Sequence, residues 1–267
     1  VKIAVLSDIH EGLNRKKSET DIFGLLRDSL IHHAPDVFIL SGDMAANPEK
    51  SLNLLNQLKQ QLPDIQLLFV HGNHDVYHED STVAYDKLLE FKGNLGNGPV
   101  QLTRDWVVIG DGGWYDYTLG VEGYSHEEFA EGRLNHFTWP DMLYAHWPEN
   151  DVAVTEHYVK KLEHWLKEHQ GKNIILVTHF VPFAHFIRVK NEPYWDFFNA
   201  MMGSSRFGEL AEKYGVKKMI FGHIHIRYHE EYRGIDCICN PLGHYPEEWV
   251  SSSAQEEIKT AIKIIEI

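Results

Sequence analysis

Five short stretches, spread over more than two hundred residues, carry side chains able to hold metal ions and handle an anion. They are Asp8 and His10 in "SDIH", Asp43 in "SGDM", Asn73, His74 and Asp75 in "HGNHD", His179 in "VTHF", and His223 and His225 in "FGHIH". One Asp-x-His triplet occurs by chance in many loops, but here every group follows an apolar run in the same phase. Imidazole suits zinc, manganese, iron and nickel, and a carboxylate can bridge two ions roughly 3.5 to 4 Å apart. The residue types therefore fit a pair of divalent cations. Asp43 is read as the bridge, with Asp8, His10 and His225 on one ion and Asn73, His179 and His223 on the other. Asn73 is a neutral oxygen donor, so two dications facing only the Asp8 and Asp43 carboxylates keep a surplus of positive charge that suits an anionic phosphate.

The elements that must position these residues alternate in type. "KIAVL" precedes a helical stretch near 20–32, "DVFIL" a helix near 49–61, and "IQLLFV" a helix near 81–91. "WVVIG", a helix over about 152–169, "NIILV", a helix near 205–214 and "KKMIF" follow. This rhythm predicts βαβ units, and in open α/β sheets ligands bind at the carboxyl edge of the strands, where all five groups fall. The tail, "HIRYHEEYRG", "IDCIC" and the alternating "IKTAIKIIEI", reads as strands of a second sheet with no helix between them. The expected architecture is one domain over 1–267, two packed sheets flanked by helices. Residues 111–150 are too long for an ordinary connection and are either an aromatic-rich lid or a packed insertion. Within them "GGWYDY" leaves a strand end on the metal side, so that Trp114 or Tyr115 is a candidate to stack on a substrate, with core packing as the alternative.

Composition narrows the classes of function. The chain has 267 residues and a net charge of −14, which opposes nonspecific binding to nucleic acid or anionic lipid. No apolar stretch reaches the roughly 18 to 20 residues needed to span a bilayer. Cys237 and Cys239 read as core thiols of a reducing compartment, and the expected location is cytoplasmic.

The ordered series "SDIH", "SGDM", "HGNHD", "VTHF" and "FGHIH" resembles the D-x-H, G-D, G-N-H-D/E, H and G-H-x-H motifs of the calcineurin-like metallophosphoesterases. The resemblance implies a four-layer α/β/β/α sandwich of two mixed sheets whose dinuclear centre hydrolyses phosphoric esters. Manganese is the expected metal, with iron, zinc or nickel as alternatives. Asp8, His10, Asp43, Asn73, His179, His223 and His225 would be the ligands. His74 would contact the phosphate and assist the departing oxygen, with Asp75 orienting its ring, while a hydroxide shared by the ions attacks phosphorus. Purple acid phosphatases of the same fold keep a tyrosine three residues beyond the bridging aspartate, where this chain has Ala46, so an iron-tyrosinate centre is not expected. The substrate class is a small phosphomonoester or phosphodiester, including nucleotides. A nuclease and a non-catalytic scaffold of the same fold are the alternatives, and the oligomeric state is left open.

Other histidines have plainer readings. His32, His33, His157, His164 and His169 are expected on helix surfaces and ends, and His71 as a strand residue or a support for the site. His136 and His146 stay ambiguous, and "NPLGHYPEEW" is not assigned to the site although it could bring His244 near it.

Overall fold

The computed structural model describes all 267 residues, Val1–Ile267. Twelve strands form: β1 (Lys2–Leu6), β2 (Val37–Ser41), β3 (Gln66–Val70), β4 (Val100–Gln101), β5 (Trp106–Gly110), β6 (Arg133–Leu134), β7 (Phe137–Thr138), β8 (Asn173–Val177), β9 (Lys218–Phe221), β10 (Tyr228–Tyr232), β11 (Ile235–Cys239) and β12 (Lys263–Glu266). The α-helices are α1 (Glu11–Ser18), α2 (Ile22–His33), α3 (Pro48–Gln61), α4 (Ser81–Leu88), α5 (His126–Ala130), α6 (Asp141–Tyr144), α7 (Asp151–Glu168), α8 (Pro193–Phe197), α9 (Ser205–Lys213) and α10 (Ala254–Ala261). One sheet has the order β12-β1-β2-β3 and the other β10-β11-β9-β8-β5-β4, while β6 and β7 form a separate hairpin.

Strand alternation builds the layers. Ile3, Val5, Val37, Ile39 and Val70 from the first sheet meet Val108, Ile175, Val177, Ile220 and Ile238 from the second in a dry layer between the sheets. The intervening residues, Ala4, Leu6, Phe38, Leu40, Ile174 and Leu176, turn outward into the larger core under the helices. β-Branched side chains suit a strand buried on both faces, which is why these runs are continuously apolar. Helices α1, α2, α3 and α4 pack one against the next, with α10 against α2, while α7 packs on β5 and against α9.

Two expectations for the tail need correction. "HIRYHEEYRG" and "IDCIC" do form the antiparallel pair β10–β11 in the second sheet, but residues 254–261 are helical. Ser253 caps α10, Glu256 and Glu257 sit in its first turn, and Ile258, Ala261 and Ile262 have the i, i+3, i+4 spacing of a helix face, although Ile258, Ile262 and Ile264 also fit a strand's alternation. The remaining strand, β12, pairs antiparallel with β1 in the first sheet, not the second. Helix α1 is also present where no helix was expected.

The parallel strands β1, β2 and β3 of one sheet and β8 and β9 of the other all end on the same side. A backbone hydrogen bond from Ser7 N–H to the Asn240 carbonyl (3.0 Å) joins the two sheets there, and those from Asp8 to Gly42 (3.0 Å) and from Gly222 to His179 (2.8 Å) extend the pairing within each sheet past the strand ends. That shared edge receives all five motifs.

Candidate metal centre

Sharp departures from the strands set the donors. Asp8, His10, Asp43, His223 and His225 all have positive φ, between 43° and 67°, a conformation that costs a side-chain-bearing residue about 1 kcal/mol or more and persists only where the surroundings enforce it. Gly42, at φ +93°, is doubly constrained, because a Cβ there would also lie 2.2 Å from His179 Nδ1. Gly72 has a different reason for being glycine: its φ is ordinary, but a Cβ would fall 2.1 Å from Asp43 Oδ1. Close approach of a carboxylate, rather than a turn, excludes a side chain there.

The seven candidate ligands meet around Asp43. His10 Nε2 and His179 Nε2 lie 3.7 and 3.6 Å from Asp43 Oδ2 on its two sides. On one side His225 Nε2 is 3.1 Å from His10 Nε2 and 3.2 Å from Asp8 Oδ1. On the other, Asn73 Oδ1 is 3.2 Å from His179 Nε2, and Asp43, His179 and His223 have donor atoms within 4.8 Å of one another. Two donors each about 2.1 Å from one ion sit roughly 3.0 to 3.4 Å apart, so these separations suit a shared cation on either side of Asp43.

The nitrogens facing away from this cluster are tied down. His179 Nδ1 meets the Ser41 carbonyl at 2.8 Å, His223 Nε2 the Met201 carbonyl at 3.2 Å, and His225 Nδ1 the Glu248 carboxylate at 2.7 Å. Such partners fix the tautomer and aim the opposite lone pair inward, as supports of metal-binding histidines do. Asn73 is oriented in the same way, since its Nδ2 donates to Asp141 Oδ1 at 2.7 Å and its amide oxygen is left facing His179. Asp141 also accepts from the Tyr77 hydroxyl and Trp139 Nε1. The donor set and its supports fit divalent metal.

Electrostatics agree with a site short of positive charge. Burial pushes Asp43 well above the usual carboxylate range, and repulsion from Asp75 and Asp8 adds to it. Burial would also raise Asp8, but the charge of His225 and hydrogen bonds from His225 and Ser7 outweigh it and hold the carboxyl low. Burial would lower His225, yet Asp8 and Glu248 overcome this and raise it to about 10. Burial and neighbouring imidazoles depress His10 and His223.

His74 lies beside the cluster, while Asp75 has other partners than the expected ring. The His74 backbone N–H donates to Asp43 Oδ1 at 2.9 Å, and its ring lies edge-on to His10 and over Tyr77. Burial, then repulsion from His225, His244 and His179, lowers its imidazole to about 3. The Asp75 carboxylate does not reach that ring. It accepts instead from the backbone N–H groups of Gly72 (2.8 Å), Asp43 (2.7 Å), Met44 (3.1 Å) and Ala45 (3.3 Å), and from the Ser51 hydroxyl (2.5 Å). It splints the two loops that carry Asp43 and Asn73, and the expected ring-orienting contact is corrected to this one.

Trp114 and Tyr115 are 1% and 0% exposed. They stack on each other and against Phe180, and Trp114 Nε1 donates to Asp151. They form core, so the stacking role considered for them is not available. Of residues 111–150, the stretch from Asp111 to Tyr117 packs into the core, while most of the rest lies at the surface, with the buried Asp141 reaching the centre. His71 is fully buried, with Nε2 2.9 Å from the Tyr158 hydroxyl, and burial lowers it to about 4.

Three neighbours of the site were not assigned to it from sequence. The His244 ring packs 4.5 Å from that of His10 and 4.7 Å from that of His225, and its donor atoms group with theirs. It follows the carboxyl end of β11, as the recognised motifs follow theirs, and that placement is the signal that could have found it. Glu248 and Asp141 had no such signal, because an isolated acid in a loop looks like any solvated one.

Comparison with known proteins agrees with the geometry. The chain resembles the crystal structure of a phosphopantetheinyl hydrolase from Mycobacterium tuberculosis, with a TM-score of 0.78 at 19% identity over 99% of this chain and 95% of that one. A dimetal phosphatase from Danio rerio aligns with a TM-score of 0.52 at 13% identity, over 89% and 86% of the two chains. At these identities the likeness establishes the fold. No curated protein matches the sequence significantly. The family model described as calcineurin-like phosphoesterase matches residues 1–227, a span holding all five motifs, and the chain belongs to that family.

Proposed function

We propose that this protein is a dinuclear metal-dependent hydrolase of small phosphoric esters. The observation that carries the proposal is the inward aim of the donors around Asp43, with the outward nitrogens of His179, His223 and His225 anchored elsewhere. Asp8, His10, Asp43 and His225 would hold one ion and Asp43, Asn73, His179 and His223 the other. When bound, the ions supply Lewis acidity and a water acidified toward a pKa of about 7. The chain's own work is to fix these donors, to keep the carboxylate count low through Asn73, and to place the His74 imidazole beside the His10 side of the centre, where it can contact a phosphoryl oxygen and assist the departing one. Manganese is the proposed native metal. The overall likeness to a phosphopantetheinyl hydrolase supports an ester with a sizeable organic substituent, and so a phosphodiester ahead of a simple monoester.

The test is metal analysis of the purified protein, followed by a panel of chromogenic monoesters and diesters with manganese, zinc, iron and nickel. About two ions per chain and metal-dependent release of chromophore are expected, with diesters turned over faster. A protein that binds no metal tightly, or that binds it and hydrolyses no ester, overturns the reading.

A further inference from the structure

Beside the metal centre lies a groove of about 510 Å³ that the reaction itself does not require. The candidate ligand His225 and its partner Glu248 form one end. Its walls come from two separate segments, the β6–β7 hairpin and the 188–202 excursion, with Phe137, Trp139, Tyr194, Trp195, Phe198 and Met202 among the lining residues. Phe137, Tyr194 and Trp195 are 39%, 43% and 49% exposed, three of the four exposed Phe, Tyr and Trp residues of this protein, the fourth being Tyr144.

The aromatic wall is tied to the centre. Trp139 stacks on Phe198, its ring stands 6.2 Å from that of His223, and its Nε1 donates to Asp141, which orients Asn73. Two cations, Arg188 and Lys190, also line the groove. Lys190 Nζ lies 3.3 Å from the centre of the Trp195 ring. The guanidinium of Arg188 has no carboxylate partner, and the residue's one side-chain contact is made through its carbonyl, 3.5 Å from Asn199 Nδ2. The two acids in the lining are already engaged, Glu247 with Lys17 and Glu248 with His225. In a chain of net charge −14, this groove is a local reserve of unspent positive charge next to exposed aromatic faces.

We infer that the groove binds the organic substituent of the phosphoester, and that this substituent combines a flat aromatic body with a second anionic group, as a nucleotide bearing a further phosphate does. The inference rests on the phosphoesterase reading above. The aromatic walls stack on the body, as such side chains do on bases, while the Arg188 guanidinium takes the second anion through the paired hydrogen bonds that its planar fork favours. A volume near 510 Å³ matches a nucleotide-sized group and is wasted on an alkyl phosphate.

The test compares deoxythymidine 5′-(4-nitrophenyl phosphate) with the same ester carrying a 3′-phosphate. The 3′-phosphorylated ester is expected to have kcat/KM higher by about tenfold or more, the scale of one charge-assisted hydrogen bond. Arg188→Ala should bring that ratio close to one and Arg188→Lys should keep part of it, while Arg104→Ala, a loop cation remote from the groove, leaves it unchanged. A wild-type ratio near one, or a ratio that survives Arg188→Ala combined with Lys190→Ala, overturns the inference. If neither ester is hydrolysed with any metal, the phosphoesterase reading is what fails. The groove is then judged by calorimetry with deoxythymidine 3′,5′-bisphosphate and the 5′-monophosphate: a preference for the bisphosphate that Arg188→Ala removes sustains it, and equal binding overturns it.

Discussion

The two sides of the candidate centre are held in different ways. On the side of Asn73, His179 and His223 the supports are backbone carbonyls of Ser41 and Met201 and the buried Asp141 carboxylate. On the side of Asp8, His10 and His225 the support is Glu248, on a half-exposed loop that also borders the groove, and a third imidazole, His244, is packed alongside. The Ser41 carbonyl moves only with β2, which carries it, and Asp141 is buried, whereas the Glu248 carboxylate, on a surface loop, can shift with whatever enters the groove. The first side is therefore built for position and the second for response to substrate.

Asp43 belongs to both sides, so its replacement should have the largest effect. Asp43→Asn is expected to lower turnover by about 10³-fold or more, since it weakens charge stabilisation on both ions at once. Elemental analysis should show less than the full metal complement. Near-normal metal content and rate would mean that the two sides do not share this carboxylate.

Rigidity on the first side can be tested through Gly42. Gly42→Ala combines a positive φ with a Cβ 2.2 Å from the His179 ring and should cost about 3 kcal/mol in a denaturant titration. Gly171, at φ +89° with nothing within 4 Å, provides the control, and Gly171→Ala should cost about 1 kcal/mol, the backbone term alone. Equal losses would show that the loop around His179 can yield.

On the second side Glu248→Gln should reduce activity by about 10-fold to 100-fold, as losing the partner of a metal-binding histidine commonly does. Its unfolding midpoint should barely change, because the loop is at the surface. A large loss of stability would erase the distinction between the sides. The smallest effect is expected at His244. If its ring only shapes the pocket, His244→Ala should lower kcat/KM by less than the roughly 10²-fold that loss of a general acid brings. A greater loss, rescued by added imidazole, would move the proton-donor role from His74 to His244.

Legibility from sequence followed the range of the interactions involved. The strands and most helices are written in local periodicity, and the strand-end phase of Asp8, Asp43, Asn73, His179 and His223 is visible because each follows its own apolar run. The misread helix α10 shows the limit, since Ile258 and Ile262, four apart, satisfy both periods and only the cap at Ser253 and the pairing of β12 with β1 separate them. Asp75 is a second case. Its position beside His74 suggested a local partner, but four backbone N–H groups from two loops compete for its carboxylate and win through their number.

The chain alone specified which chemical groups are available and on which strand ends they ride, because an apolar run followed by a polar donor is a local pattern. It could not specify which acids stand behind the donors, whether an aromatic in the insertion is wall or core, or that Arg188 is left without a partner. Those depend on how two sheets and their excursions meet, and distances between residues far apart along the chain are fixed only when the interior packs.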